Sequence, residues 1–226
     1  MKLKFFTNKD LFQLSQIQLQ EQENHVWIIC WKDIAYWINS NKNVLNEKEL
    51  KKAEKFYFLQ DKMRYMTGRI LTKNLSAHYL LLENKGIHIK YNSHGKPLIV
   101  SDKKKIYYNI SHSGDYVLLA FTYDGEIGID VEEEKWIHEY KELSREFHKE
   151  EYEHIYKTND IHIFYKFWTA KEAYVKAVGQ GLQIKLNSFC IRDDGIYKDD
   201  SKLDCYNIFI FRVAYLYTAA LVVSNR

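Results

Sequence analysis

The 226-residue chain is 46% hydrophobic and 15% aromatic, with one Pro and nine Gly; this composition builds a core and excludes a disordered chain. A net charge of +3 suits an anionic ligand or an acidic partner and is too small to argue for nucleic acid. Cys30, Cys190 and Cys205 lie far apart, without metal-ligand spacing, and read as reduced thiols of a cytoplasmic protein. The start, MKLKFFTNKD, has no long apolar core, so no signal peptide is expected, and no apolar run is long enough to span a membrane.

In chain order, hydrophobic period and punctuation predict a strand over 26–31, a charged amphipathic helix over 46–59 and a longer helix over 61–82. Short strands are expected at 86–91, 106–110 and 116–123. The order then begins again: a strand at 127–131, a Glu/Lys-rich helical region over 136–157, a helix over 160–178, and strands at 186–192, 207–213 and 215–223. Two α+β lobes of similar size follow from this repeat of pattern, residues 1–124 and 125–226, with an Asp-Gly turn in TYDGE (122–126) as linker. A ligand cleft between the lobes is expected.

The strand IGIDVE (127–132) alternates faces, so Ile127, Ile129 and Val131 point into a core while Gly128, Asp130 and Glu132 point the other way. The two carboxylates stand roughly 6.6 Å apart at strand rise. Like charges this close raise each other's pKa unless a cation joins them, and magnesium suits one or two carboxylates with phosphate oxygens. Gly128 leaves room for a ligand to approach the backbone. The bland alternative is a strand end with solvated acids, and Glu133 and Glu134 are read that way.

WTAKEAYVKAVGQGL (168–182) is a helix in which Phe164, Phe167, Trp168, Tyr174, Val175 and Val178 form one apolar stripe. Lys171 falls in the middle of that stripe and must reach out or pair with a carboxylate, since an unpaired buried ammonium is very costly. Glu172 and Lys176 are neighbours on its edge, as a surface ion pair or as a third carboxylate beside an amine. In the first lobe, GKPLI (95–99) and YNISHSG (108–114) offer Lys96, Asn109, Ser111, His112 and Ser113 as donors to an anion. A lone histidine such as His112 also fits a capping or core role. Lys51, Lys52, Lys55, Arg64 and Arg69 read mostly as a solvated basic face.

Taken in order, G-K-P, N-x-S-H-S, G-I-D-x-E and W-x-x-K-E-A-x-x-K-x-x-G-x-G-L resemble the motifs of the Sfp-type 4′-phosphopantetheinyl transferases, over residues 52–182. The resemblance implies an α+β fold, a pseudo-dimer of two similar lobes with the active site between them. It implies that a serine of an apo acyl or peptidyl carrier protein attacks the β-phosphate of coenzyme A, taking the phosphopantetheine arm and releasing 3′,5′-ADP. It implies Asp130, Glu132 and Glu172 as magnesium ligands, with Glu172, Lys176 and His112 in catalysis. Glu172 is also the implied base for the carrier serine, and Lys176 the contact to the diphosphate. Ser111 and His112 are implied at a coenzyme A phosphate, Lys96 by the nucleotide, and Lys52 and Arg64 by the 3′-phosphate. Family members often carry a basic residue where this chain has Glu49. A cytoplasmic monomer is expected, with no nucleic acid and no membrane as partner. Two other readings remain: a magnesium-dependent hydrolase acting on a diphosphate, and a non-catalytic nucleic-acid or partner-binding protein. The first leaves NISHS and KEAYVK unexplained; the second puts acids where a phosphate backbone would be repelled.

Overall fold

The computed structural model describes residues 1–101 and 104–225, and of Leu182, the last position of the 168–182 motif, only the backbone. The chain divides into two compact units, Met1–Asn92 with Pro97–Tyr123, and Ser93–Lys96 with Asp124–Arg226. Among the described residues no helix is long and apolar enough to cross a membrane.

The first unit holds strands β1 (Lys2–Thr7) and β2 (Glu23–Cys30), helices α1 (Ala35–Ser40), α2 (Glu47–Glu54) and α3 (Leu59–Leu80), and strands β3 (His88–Tyr91), β4 (Pro97–Val100), β5 (Tyr107–Ser113) and β6 (Tyr116–Thr122). The sheet order is β1-β2-β6-β5, with β1 parallel to β2 and the other pairs antiparallel. β3 and β4 form a separate hairpin. The core joins Trp27 and Ile29 of β2, Leu119 and Phe121 of β6, and Met66, Ile70 and Leu75 of α3.

The second unit holds β7 (Ile127–Glu133), α4 (Tyr140–Leu143), α5 (Lys149–Thr158), α6 (Ile161–Val178), β8 (Cys190–Arg192), β9 (Gly195–Lys198), β10 (Ser201–Lys202), β11 (Tyr206–Ala214) and β12 (Tyr217–Ser224). Its main sheet is antiparallel in the order β11-β12-β7, with β10-β9-β8 as a smaller one. Helix α6 serves two cores. Ala170, Ala173 and Ala177 pack toward Ala220 and Val222 of β12, while Phe164 and Tyr165 join Tyr140, Phe147 and Ile155.

The fold is α+β, and the two units share a topology. In each, one strand ahead of the long helix (β2, β7) pairs with the last (β6, β12), which pairs with the strand before it (β5, β11); β1 is an addition peculiar to the first unit. The long helix and a small hairpin lie between them in sequence.

Several elements differ from expectation. β1, KLKFFT, is a strand beyond those expected, paired in parallel with β2. The helix expected over 46–59 ends at Glu54, since Phe58 is extended and starts α3 afresh. The region 136–157 is broken into α4, a 3-10 turn and α5, because Phe147 and His148 are extended and His148 caps α5. The strand expected over 186–192 begins at Cys190 after a 3-10 turn, and the charged segment behind it forms β9 and β10.

Candidate active site

The acids of β7 meet helix α6 at a close seam. Gly128 sets its spacing: a Cβ there would lie 2.1 Å from the Ala173 carbonyl oxygen and 2.3 Å from the Ala177 amide nitrogen. This corrects the expectation of ligand space at Gly128, because the helix backbone fills it. By strand alternation Asp130 and Glu132 share that side. Asp130 is buried at 3% exposure, and the Lys176 ammonium donates to its Oδ1 at 2.6 Å. Glu132 is half-buried.

Helix α6 is built to present that face. Asp160 caps its start by accepting from the His162 amide at 2.8 Å, and Gly179, at φ 74°, closes its end in the left-handed region. Glu172 and Lys176 lie one turn apart. Burial pushes the Glu172 carboxyl above its ordinary range, the charge of Asp130 adds to the rise, and Lys176 opposes it. A carboxyl raised by a neighbouring carboxylate is the condition that a cation relieves. The donor set of Asp130, Glu132 and Glu172, all hard oxygens, fits a divalent ion such as magnesium.

Lys171 does not join this group. It is fully buried and salt-bridged at 2.7 Å to Glu151 of α5, and it donates to the carbonyls of Leu186 and Phe189. Lys96 is also committed within the second unit: its ammonium donates to Glu126 at 2.6 Å and to the Ala177 carbonyl at 2.8 Å. It therefore ties the Ser93–Lys96 segment to the end of α6.

Within the first unit, Ser111 and His112 are consecutive on β5, so they face opposite ways; Ser111 is buried and His112 exposed. Arg64 of α3 donates to the Gly114 carbonyl at 2.7 Å and pairs with Asp61, which brings α3 to the turn that follows Ser111 and His112. Lys52 is exposed on α2, its ammonium 5.1 Å from the Tyr65 ring. Arg69 departs from the solvated basic face: it pairs with Glu49, which also takes Lys73 at 2.5 Å. Glu49 is thus a structural acid, held in a capping box by Asn46.

Glu134 is a second correction. It was read as solvated, yet its carboxylate is fully buried and accepts from Arg212, Thr218 and His162. Burial alone would raise its pKa, but those three hydrogen bonds outweigh it and hold the carboxyl below the usual range. Reading the sequence missed Glu134, whose partners are remote in the chain. Glu49 and Glu151 carried a readable signal, each three residues after a helix cap.

A further cluster, His148, Glu150 and Cys190, brings N, O and S atoms within 4.8 Å of one another. Its carboxylate is already neutralised by two bonds from Arg192, at 3.1 and 2.8 Å, and His148 Nδ1 accepts the Glu150 amide. The guanidinium occupies the electrostatic role that a metal would have there.

The profile described as "4'-phosphopantetheinyl transferase, N-terminal" matches residues 30–123, and that described as "4'-phosphopantetheinyl transferase superfamily" matches 126–203. The 4'-phosphopantetheinyl transferase HetI of Nostoc sp. is 32% identical over 173 residues, 74% of this chain and 73% of that one. The 4'-phosphopantetheinyl transferase Sfp of Bacillus subtilis is 33% identical over 170 residues, 72% of this chain and 75% of that one. The human L-aminoadipate-semialdehyde dehydrogenase-phosphopantetheinyl transferase is 30% identical over 166 residues, and the match spans 53% of its length. Two matching profiles in order, and relatives covered over most of their length, show that the chain belongs to the 4′-phosphopantetheinyl transferase superfamily.

Proposed function

We propose that this transferase moves the 4′-phosphopantetheine arm of coenzyme A to a serine of an apo acyl or peptidyl carrier protein. The reading is carried by one observation: a buried Asp130 paired with Lys176, one turn of α6 from Glu172. Asp130, Glu132 and Glu172 would hold magnesium, which when bound would neutralise charge on the diphosphate oxygens. The carrier serine Oγ forms a bond to the β-phosphorus, and the bond from that phosphorus to the departing 3′,5′-ADP breaks.

The serine proton passes to the Glu172 carboxylate, directly or through a water. Lys176 leaves Asp130 for the diphosphate and stabilises the charge that develops there. The exposed His112 binds a coenzyme A phosphate through its side chain, with Ser111 set on the other face of β5 behind it, and Lys52 and Arg64 bind the 3′-phosphate. Lys96 contributes by shaping the Ser93–Lys96 segment near the nucleotide, since its ammonium is held by Glu126 and Ala177. The same reading places the chain in the cytoplasm as a monomer, supported by its free cysteines and by the repeat of topology within one chain.

The test is intact-mass analysis of an apo carrier protein incubated with this chain and coenzyme A, with magnesium or with EDTA. The expected result is the mass of one phosphopantetheine arm added only with magnesium, and lost in Glu172→Gln and reduced in Lys176→Met. Full transfer by Glu172→Gln overturns the assignment of base and metal ligand.

A further inference from the structure

The acid row of β7 does not stop at Glu132. Glu134 follows two residues later, on the same side by alternation, and it is enclosed rather than offered to a ligand. Three elements converge on its carboxylate: Arg212 of β11, Thr218 of β12, and His162 of the first turn of α6, whose Nδ1 donates at 2.5 Å. Its backbone amide donates to the Leu216 carbonyl at 2.7 Å. The next residue is held too. The Tyr165 hydroxyl donates to the Lys135 carbonyl at 2.9 Å and accepts from the Lys135 amide at 3.1 Å. The exit of β7 is thus bound to β11, β12 and the turn that joins them, and to two turns of α6.

Thr218 connects this knot to Glu132. It is the residue directly opposite Glu132 in the β7–β12 register, and its hydroxyl is spent on Glu134. At the other end of the row, Asp130 is fixed to α6 through Lys176. Glu132 lies between two anchors, each joining β7 to the helix that carries Glu172.

We propose that Glu134 is a positioning residue that holds Glu132 at the fixed distance from Asp130 and Glu172 that a shared divalent cation requires. This rests on the metal-ligand reading above. Groups hydrogen-bonded to a metal ligand act in this way, and removing one typically weakens metal binding about 10–100-fold; Glu134 acts one step further out, through Thr218 and the backbone of β7.

The test titrates Mn²⁺ into the full chain without coenzyme A, by calorimetry, well below the unfolding midpoint. Wild type, Glu134→Gln, Glu134→Ala and Glu132→Gln are compared. Glu134→Gln keeps the side chain's size and an oxygen that accepts from Arg212 and Thr218, so it folds even where Glu134→Ala does not. The expected result is Mn²⁺ affinity about tenfold weaker in Glu134→Gln. Its KM for coenzyme A, measured at saturating metal, is expected to stay near that of wild type. A wild-type Mn²⁺ affinity in Glu134→Gln, with Glu132→Gln defective, overturns the positioning role and leaves the metal set standing. A wild-type affinity in both variants overturns the metal set and this role with it.

Discussion

Each unit locks its long helix with a glutamate at the third position of a shorter one, and the two locks differ in how many cations they hold. Glu49 follows the Asn46 cap and takes both Lys73 and Arg69 of α3. Glu151 follows the His148 cap and takes Lys171 of α6 alone, with the Ile191 amide as a further donor at 2.7 Å. Burial acts to raise both carboxyls. In Glu49 the contacts from Lys73, the Asn46 amide and Arg69 win, and the pKa falls. In Glu151 burial wins over Lys171, and the pKa rises. Burial likewise pushes the Lys171 ammonium down. Similar contact lengths therefore accompany opposite electrostatic outcomes: Glu49 has a second cation and is less deeply buried, while Glu151 has one cation and is more deeply buried.

The largest effect expected from this contrast is at Lys171. Lys171→Met leaves a buried carboxylate without its cation and should cost about 3–5 kcal/mol in denaturant unfolding. Lys73→Met leaves Arg69 in place and should cost about 1.5–3 kcal/mol. Equal losses would break the comparison. The double change Glu151→Leu with Lys171→Met should recover only part of the loss: apolar packing replaces the buried pair, but the Ile191 and His148 amides lose their acceptor.

Next in size is an acid response that begins in the first unit. His25 of β2 is fully buried, accepting from the Tyr79 hydroxyl at 2.9 Å and donating to Glu23 at 3.3 Å. Burial pushes its pKa from 6.5 down to about 4, against the pull of Glu23. The unfolded histidine takes its proton below pH 6.5 and the folded one only near pH 4, so stability falls as pH drops through that window. At about 1.36 kcal/mol per pKa unit, the loss is on the order of 3 kcal/mol. Hydrogen exchange at pH 7 and pH 5 should show protection falling in β2 and β6 before it falls in β7 and β12. Uniform loss would remove the distinction between the units.

The smaller effects concern the glycines at the two helix–sheet seams. Gly128→Ala drives a methyl into the backbone of α6 and should cost about 1–3 kcal/mol. It should also lower transfer activity by more than the stability loss explains, because it parts Asp130 from Lys176. A Cβ at Gly68 of α3 meets the Ile110 Cδ1 at 2.6 Å, the far end of a side chain that can turn aside. Alanine's helix preference of about 1 kcal/mol over glycine offsets that contact, so Gly68→Ala should be close to neutral by thermal melt.

The long helices and the paired outer strands were legible because their apolar period runs for many residues. The need of Lys171 for a carboxylate was legible from its place in an apolar stripe, although its partner, Glu151, lies twenty residues earlier on another helix. Alternation correctly separated Asp130 and Glu132 from the isoleucines of β7. It could not tell whether the side facing away from those isoleucines met a ligand or a helix, and so misread Gly128. Glu134 was read by its neighbour Glu133, a half-exposed acid paired with Lys135. What buries it comes from β11, β12 and α6, and no local pattern announces three remote partners.

The pairing of β7 with β12 also sets an order in time. Partner residues in that ladder lie far apart in the chain, from Glu133 with Tyr217 to Ile127 with Val223. At a synthesis rate of about 5–20 residues per second, the nearest of these partners leave the ribosome roughly 4–17 s apart. For that interval the strand bearing the acids is an edge without its ladder, its isoleucines uncovered and open to pairing with another chain. Slow, long-range closure of this kind exposes a nascent chain to aggregation, and it makes the acid strand dependent on a strand translated long after it.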